Sequence, residues 1–341
     1  MKIEKISKLD LHEYSQLCEQ SREATFYSSF NHLSFLTDVL GIQPEFIIAK
    51  DDDELIGVLP YFCKSTNYGN VFNSLPFFGS YGGIISKKQC HKEILDFFNE
   101  INKEDELISS VIITNPFMKT FNDYENIFSY NFVDKRRIQC IELKNTNEEK
   151  LWLSFEQRVR RSIRKASKEN IIFETSELNE KIIDDFYILH KKEMDSKNGK
   201  SKPKNFFHLL KKHFTFGVDY ELYIAKKDSK AISYLLIFYS KSHAEYYMPA
   251  YDADFKYTQS TSLLIWESIK SALKKNLQFY NFGGTWDNQP ELHRFKRGWS
   301  SVDYFYNYYI HGDIEKIKSI GMKKILSEFP YFYVAPFNQI T

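Results

Sequence analysis

One stretch of this chain occurs twice. Glu45-Phe-Ile-Ile-Ala-Lys-Asp-Asp-Asp-Glu-Leu-Ile-Gly-Val-Leu-Pro-Tyr-Phe62 aligns without gaps on Glu221-Leu-Tyr-Ile-Ala-Lys-Lys-Asp-Ser-Lys-Ala-Ile-Ser-Tyr-Leu-Leu-Ile-Phe238, with eight of eighteen positions identical at a constant offset of 176. Each copy reads as an apolar run, a polar turn of Asp, Lys and Ser, and a second apolar run, which is the pattern of a β-hairpin. The segments after the two hairpins also agree in kind. After the first come a strand pattern at 71–78, a glycine-bearing loop at 79–83, helical periodicity over 89–101 and a strand at 111–114. After the second come a strand at 244–250, a loop at 251–260, a helix at 261–275, with Ser and Thr to cap it, and a strand at 278–282. Helical stretches at 9–20 and 33–40 precede the first hairpin, and 182–194 and 205–213 precede the second. Two long copies do not make a solenoid of short units. Two fused α/β (α+β) domains fit the pattern, over 1–142 and 143–310, followed by a helix and aromatic tail over 311–341 that pack back on the body or touch a membrane surface.

At 341 residues the chain has room for two domains. Lys+Arg 46 against Asp+Glu 45 leaves a formal charge of +1, so no global field favours DNA or another polyanion, and any anion site has to be local. Cys18, Cys63, Cys90 and Cys140 lie far apart, which suggests neither a disulfide framework nor a zinc cluster. The opening residues mix charges into every apolar stretch, unlike a signal peptide, and no run reaches the roughly 18 apolar residues of a membrane span. A cytoplasmic setting is expected, with contact at the inner membrane face as the alternative surface for the aromatic end.

Arginine is scarce, nine in all, yet Arg158, Arg160, Arg161 and Arg164 fall within seven positions. On a helix over 151–170, Arg160, Arg161 and Arg164 share a face and Arg158 lies to the side. Guanidinium groups grip phosphate or carboxylate in a bidentate manner. The cluster is either a clamp on a phosphorylated or nucleotide-linked substrate or a solvated basic face. The segment 191–204 carries six lysines with Gly199 and Pro203 and reads as a mobile surface loop.

Asn281-Phe-Gly-Gly284 ends a strand, and Leu292-His-Arg-Phe-Lys-Arg-Gly-Trp299 comes after it. Lys296, between Phe295 and Trp299, can place an ammonium beside a developing oxyanion or lay its stem on the rings. Glu291 and His293 are the nearest groups for proton transfer. No P-loop, His-Glu-x-x-His or Gly-x-Ser-x-Gly motif is present, and His208 and His213 diverge on a helix, so no tightly bound cofactor or metal is expected.

Four patterns in order, Leu75-Pro-Phe-Phe-Gly-Ser-Tyr-Gly-Gly-Ile84, Arg160-Arg-Ser-Ile-Arg-Lys-Ala166, Asn281-Phe-Gly-Gly284 and Arg294-Phe-Lys-Arg-Gly-Trp299, resemble the FemAB-like proteins with tandem GNAT-type acyltransferase folds. The resemblance covers roughly residues 30–310. It implies two GNAT-like domains, each a mixed, largely antiparallel sheet flanked by helices, with the catalytic site on the second. It also implies amide formation, an acceptor amine attacking an acyl-CoA thioester or an aminoacyl-tRNA ester. By that likeness Phe295 and Lys296 match the family's Phe-Lys pair, where lysine stabilises the tetrahedral intermediate. Arg160, Arg161 and Arg164 match the basic helix near the acceptor, and Tyr81, Gly82 and Gly83 the loop lining the acceptor groove. Tyr251, Asp252, Gly283 and Trp299 complete the candidate binding set.

The likeness leaves three functions open. The first is N-acylation of a nucleotide- or lipid-linked amino sugar of the cell envelope. The second is an aminoacyl-tRNA-dependent transferase of the peptidoglycan-bridge type. The third is a non-catalytic glycan-precursor binder on the same fold. After Gly83 the chain reads Ile-Ile-Ser-Lys, without the acidic residue often seen in bridge-forming members, and the loop Lys256 to Ser262 lacks the glycines of the usual CoA-pyrophosphate turn.

Overall fold

Both copies of the repeat close on a two-residue turn of the same kind. In the computed structural model, which describes residues 1–77, 81–118, 121–197 and 199–340, Asp52 and Asp53 have φ of 46° and 64°, and Asp228 and Ser229 have 49° and 65°. Two successive left-handed residues make the turn whose twist matches that of paired strands, and Asp tolerates that conformation better than most side chains.

The chain divides into two units, Met1–Arg137 with Tyr304–Thr341, and Ile138–Asp303. The expected boundaries after 142 and 310 therefore fall a few residues earlier, inside strands, and the tail belongs to the first unit. In chain order the elements are β1 (Lys2–Ile6), α1 (Leu11–Gln20), α2 (Phe30–Leu40), β2 (Pro44–Asp51), β3 (Glu54–Thr66), β4 (Gly69–Asn73), β5 (Ile85–Ser86), α3 (His91–Ile101), β6 (Leu107–Ile113), α4 (Phe121–Ile127) and β7 (Phe132–Glu142). Then come α5 (Glu148–Ser154), α6 (Gln157–Lys168), β8 (Ile172–Ser176), α7 (Glu180–Ser196), α8 (Lys204–His213), β9 (Tyr220–Lys227), β10 (Lys230–Tyr239) and β11 (His243–Tyr251). The last are α9 (Ser260–Lys274), β12 (Phe279–Gly284), α10 (Pro290–Arg297), β13 (Val302–Gly312), α11 (Ile314–Ile320) and α12 (Met322–Glu328).

In the first unit the strands pair in the order β1-β2-β3-β4-β6-β13, antiparallel except for β4 with β6. Leu59, Tyr61, Phe72, Ile94, Phe98 and Ile112 pack between this sheet and α3. The parallel pair is continued by the chain itself: Ser74 N donates to Val111 O at 2.9 Å, and Gly82 N donates to Ile113 O at 3.1 Å. The tail docks here, since Asn73 Nδ2 donates to Tyr333 O and Tyr333 N donates to Asn73 Oδ1, each at 2.8 Å.

In the second unit the order is β7-β12-β11-β10-β9-β8, with only β11 and β12 parallel. Val159, Ile163, Leu235, Leu264, Ile269 and Trp299 form the core between the sheet, α6 and α9. Several expectations need correction here. The helix foreseen over 151–170 is two helices, because Phe155 turns extended (ψ 146°) to bury its ring 5.3 Å from that of Trp299. Residues 191–196 are helix, not loop, because α7 continues to Ser196. Gln259, with φ 60°, stands at the start of α9 without a side-chain cap, so neither Ser nor Thr caps that helix. The tail's single helix is α11 and α12, broken at Gly321 with φ +82°. Among the described residues no helix is long and apolar enough to cross a membrane.

Candidate active site

Two parallel strands in the second unit part company soon after they meet. β11 and β12 pair only at His243↔Phe279, Ala244↔Tyr280 and Glu245↔Asn281, after which β11 runs on to Tyr251 beside β10 alone. At the parting, Asn281 Nδ2 donates to Glu245 Oε2 at 2.7 Å, and Asn281 Oδ1 accepts from Gly283 N at 2.8 Å. That second bond turns the backbone through Gly283, whose φ of +73° suits glycine. A side chain added there would meet open space.

Into this strand end reaches Lys296, only 3% exposed. It is carried by α10, which Pro290 starts at its first turn, with Arg294, Lys296 and Arg297 in the last turn, where the helix dipole favours cations. The ammonium donates to Gly283 O at 2.9 Å, Gly284 O at 2.7 Å and Thr285 Oγ1 at 2.8 Å. Thr285 Oγ1 donates to Gln139 Oε1 at 2.9 Å, and Gln139 Nε2 donates to His293 O at 3.2 Å, tying β7, β12 and α10 into one polar network. The lysine is thus solvated by protein dipoles, and burial pushes its pKa down to about 7, with a weaker upward pull from Cys140. Near neutral pH such a group can hold or release a proton.

The other candidates fall into distinct places. Phe295 is half-buried against the core, and Trp299 is fully buried beside Phe282 and Phe155. Glu291 is exposed in the first turn of α10. His293 Nε2 lies 3.0 Å from Asp303 Oδ2. Of the arginines, Arg158 ties α6 to α10 through the Arg294 carbonyl, and Arg160 Nη1 donates to Leu153 O at 2.9 Å at the end of α5. Arg164 stacks 5.3 Å from the Trp152 ring, and Arg161 is exposed without a recorded contact among the described residues. Tyr251 ends β11, and Asp252 accepts from Lys230 Nζ at 2.9 Å.

In the first unit, Tyr81 is buried, its ring 4.8 Å from Tyr27 and 5.9 Å from Tyr306. Gly82 sits against Leu75, and a Cβ on Gly83 would lie 2.7 Å from the Tyr124 hydroxyl. Residues 78–80 of that motif lie outside the described residues.

Sequence reasoning missed Gln139, Glu245 and Thr285. Asn281 stood in a quoted motif, but only its bond to Glu245 reveals its part. No local signal marks Gln139, which meets Thr285 from 146 positions away. Among the described residues no group of three or more His, Cys, Asp and Glu is placed to hold a metal.

Residues 154–297, from the end of α5 through α10 and including Lys296, match the family model of the acetyltransferase (GNAT) domain. That stretch is similar to a GNAT acetyltransferase domain, and the fold is similar to that of FemX and of a tandem GNAT protein. The crystal structure of FemX superposes with a TM-score of 0.72 at 15% identity, covering 90% of this chain and 97% of that one. The C-terminal domain of a putative lysylphosphatidylglycerol synthetase from Agrobacterium fabrum gives 0.59 at 10% identity, covering 93% and 95%. A tandem GNAT protein from the clavulanic acid biosynthesis pathway gives 0.53 at 7%, covering 91% and 97%. At such identities the likeness is one of fold. No curated protein matches in sequence.

Proposed function

We propose that this chain is an N-acyltransferase, passing an acyl or aminoacyl group from acyl-CoA or an aminoacyl-tRNA to an amine of a cell-envelope precursor such as a nucleotide- or lipid-linked amino sugar. The observation that carries this reading is the buried amine of Lys296, held near neutrality where β12 leaves β11. Beyond Glu245 and Asn281 the facing strand edges are not paired to each other, so an extended donor arm bearing amides can pair with them. When the acceptor amine attacks the acyl carbon, Lys296 exchanges one of its carbonyl partners for the developing oxyanion, and its charge stabilises that oxygen in a site with little water. Arg161, exposed on the basic helix, is available to the acceptor's phosphates. A fold neighbour named for lysylphosphatidylglycerol, an aminoacylated lipid, is in keeping with an envelope acceptor.

The test is amide formation, detected by mass spectrometry, from acyl-CoAs or a charged tRNA mixture with UDP-linked amino sugars. K296M is expected to lower kcat by about 100-fold or more while the protein stays folded. Full turnover by folded K296M would reject the assignment. Loss of product on ribonuclease treatment would identify the charged tRNA as donor.

A further inference from the structure

Helix α7 leans on β11 and leaves a cleft of about 650 Å³ between itself and strands β8, β9 and β10. The strand registers set its floor. Glu174 stands opposite Ile224, and Ile224 opposite Tyr234, so the three form one row on a single face of the sheet. That face is the one under α7, because the Tyr234 ring stacks on Phe186 of the helix at 5.1 Å. Tyr234 is 1% exposed and lines the cleft, yet its hydroxyl makes no hydrogen bond among the described residues. A buried hydroxyl is rarely left in that condition. Burial raises its pKa, and the charges of Asp185 and Glu174 raise it further.

The other wall is a stripe of α7. Lys181, Ile182, Asp185, Ile188 and Leu189 follow helical spacing along the cleft. Most charges of the lining neutralise one another: Lys226 Nζ lies 2.6 Å from Glu174 Oε1, Lys230 Nζ lies 2.9 Å from Asp252 Oδ2, and Asp252 also feels the charge of Lys192. Lys181 and Asp185 differ. They sit one turn apart, the spacing at which such pairs meet, and neither has an ion-pair partner among the described residues. Elsewhere on the same helix, Lys191 and Asp195 stand in the same order at the same spacing and pair at 2.8 Å. Lys181 is also in the first turn of α7, where the helix dipole favours an anion.

We propose that this cleft binds a zwitterion with an aliphatic body, an α-amino acid or a short peptide. Its ammonium group pairs with the half-buried Asp185 beside the Tyr234 hydroxyl, and its carboxylate pairs with Lys181 at the start of α7. Its side chain lies on Ile182, Ile188, Leu189 and Ile224. A simple cation would leave Lys181 unmatched, and a simple anion would leave Asp185 so. A ligand without apolar surface would leave the exposed Ile188 in water. A volume of this size, in the range of small-molecule sites, holds a peptide of a few residues as well as a single amino acid. None of these residues belongs to the network around Lys296, and the inference does not depend on the acyltransferase reading.

The experiment titrates the full chain, without an acyl donor, with leucine and leucyl-leucine, each also in N-acetylated and C-amidated form, and reads binding by calorimetry. At least one zwitterion is expected to bind about tenfold more tightly than either of its blocked forms, and which one does so tells an amino acid from a peptide. D185N is expected to abolish the preference over the acetylated form and K181M the preference over the amide. D195N, on the same helix but outside the cleft, keeps both. Equal binding of zwitterion and blocked forms by wild type, no binding of either zwitterion, or preferences that survive D185N and K181M overturn the site. If D185N does not fold, Y234F takes its place and is expected to weaken zwitterion binding about threefold; an unchanged affinity again overturns it. Acyl transfer is assayed separately, so failure of one idea leaves the other untouched.

Discussion

The Lys296 ammonium donates to three protein oxygens, two backbone carbonyls and a threonine hydroxyl, with no carboxylate among its hydrogen-bond acceptors in the described residues. Its pKa falls to about 7 in the folded chain against 10.5 for a free lysine. Between those values the unfolded chain holds the proton more fully, so raising the pH favours the folded state through that window, and below about 7 the term is constant. Wild-type stability measured relative to K296M is therefore expected to rise between pH 7 and 9.5 by up to roughly 1 kcal/mol per pH unit, and to be level at lower pH. Urea unfolding across that range checks it, and a flat difference would mean that Lys296 is not titrating there. The arginines separate in the same way. R160A removes a bond to the end of α5 and is expected to cost about 0.5–1.5 kcal/mol of stability. R161A is expected to leave stability unchanged and to raise the KM of a phosphorylated acceptor.

Elements decide how those residues meet. The hairpins were legible from the sequence because alternation and turn chemistry act within a few residues, and the structure returns the same left-handed pairs, Asp52-Asp53 and Asp228-Ser229. The parting of β11 from β12 was not legible. It depends on Glu245 and Asn281 bonding across strands 36 positions apart in sequence. N281A should strip a donor from the buried Glu245 and free the turn at Gly283, lowering stability by about 1–3 kcal/mol and weakening donor binding. Unfolding in urea and donor titration read the two effects, and loss of stability alone would confine Asn281 to a structural part. The buried place of Glu193 was not legible for another reason: a lysine-rich run reads as solvated, while the helix that α7 makes of it turns one carboxylate inward.

At the scale of the molecule, the first unit is discontinuous. Its β6 pairs with β13, which comes from the far end of the chain, through Ile113↔Tyr308 to Ser109↔Gly312. A chain ending at Asp303 would leave that strand edge bare, together with the surface covered by the tail. It is expected to aggregate or to lose the cooperative unfolding of the first unit, as read by calorimetry. Recovery of a fully folded first unit without β13 would contradict the division.

The amino-acid order by itself determined the repeated hairpins, the helix and strand periods around them, the +1 charge that leaves any anion site to local residues, and a Phe-Lys pair in an aromatic setting. These are short-range properties, set by side-chain period, turn residues and composition. Tertiary structure alone decided that Lys296 meets two backbone carbonyls and a threonine, and that Glu193 keeps an unpaired oxygen indoors. Burial and protonation state depend on neighbours brought together from distant parts of the chain, and no window along the sequence contains them.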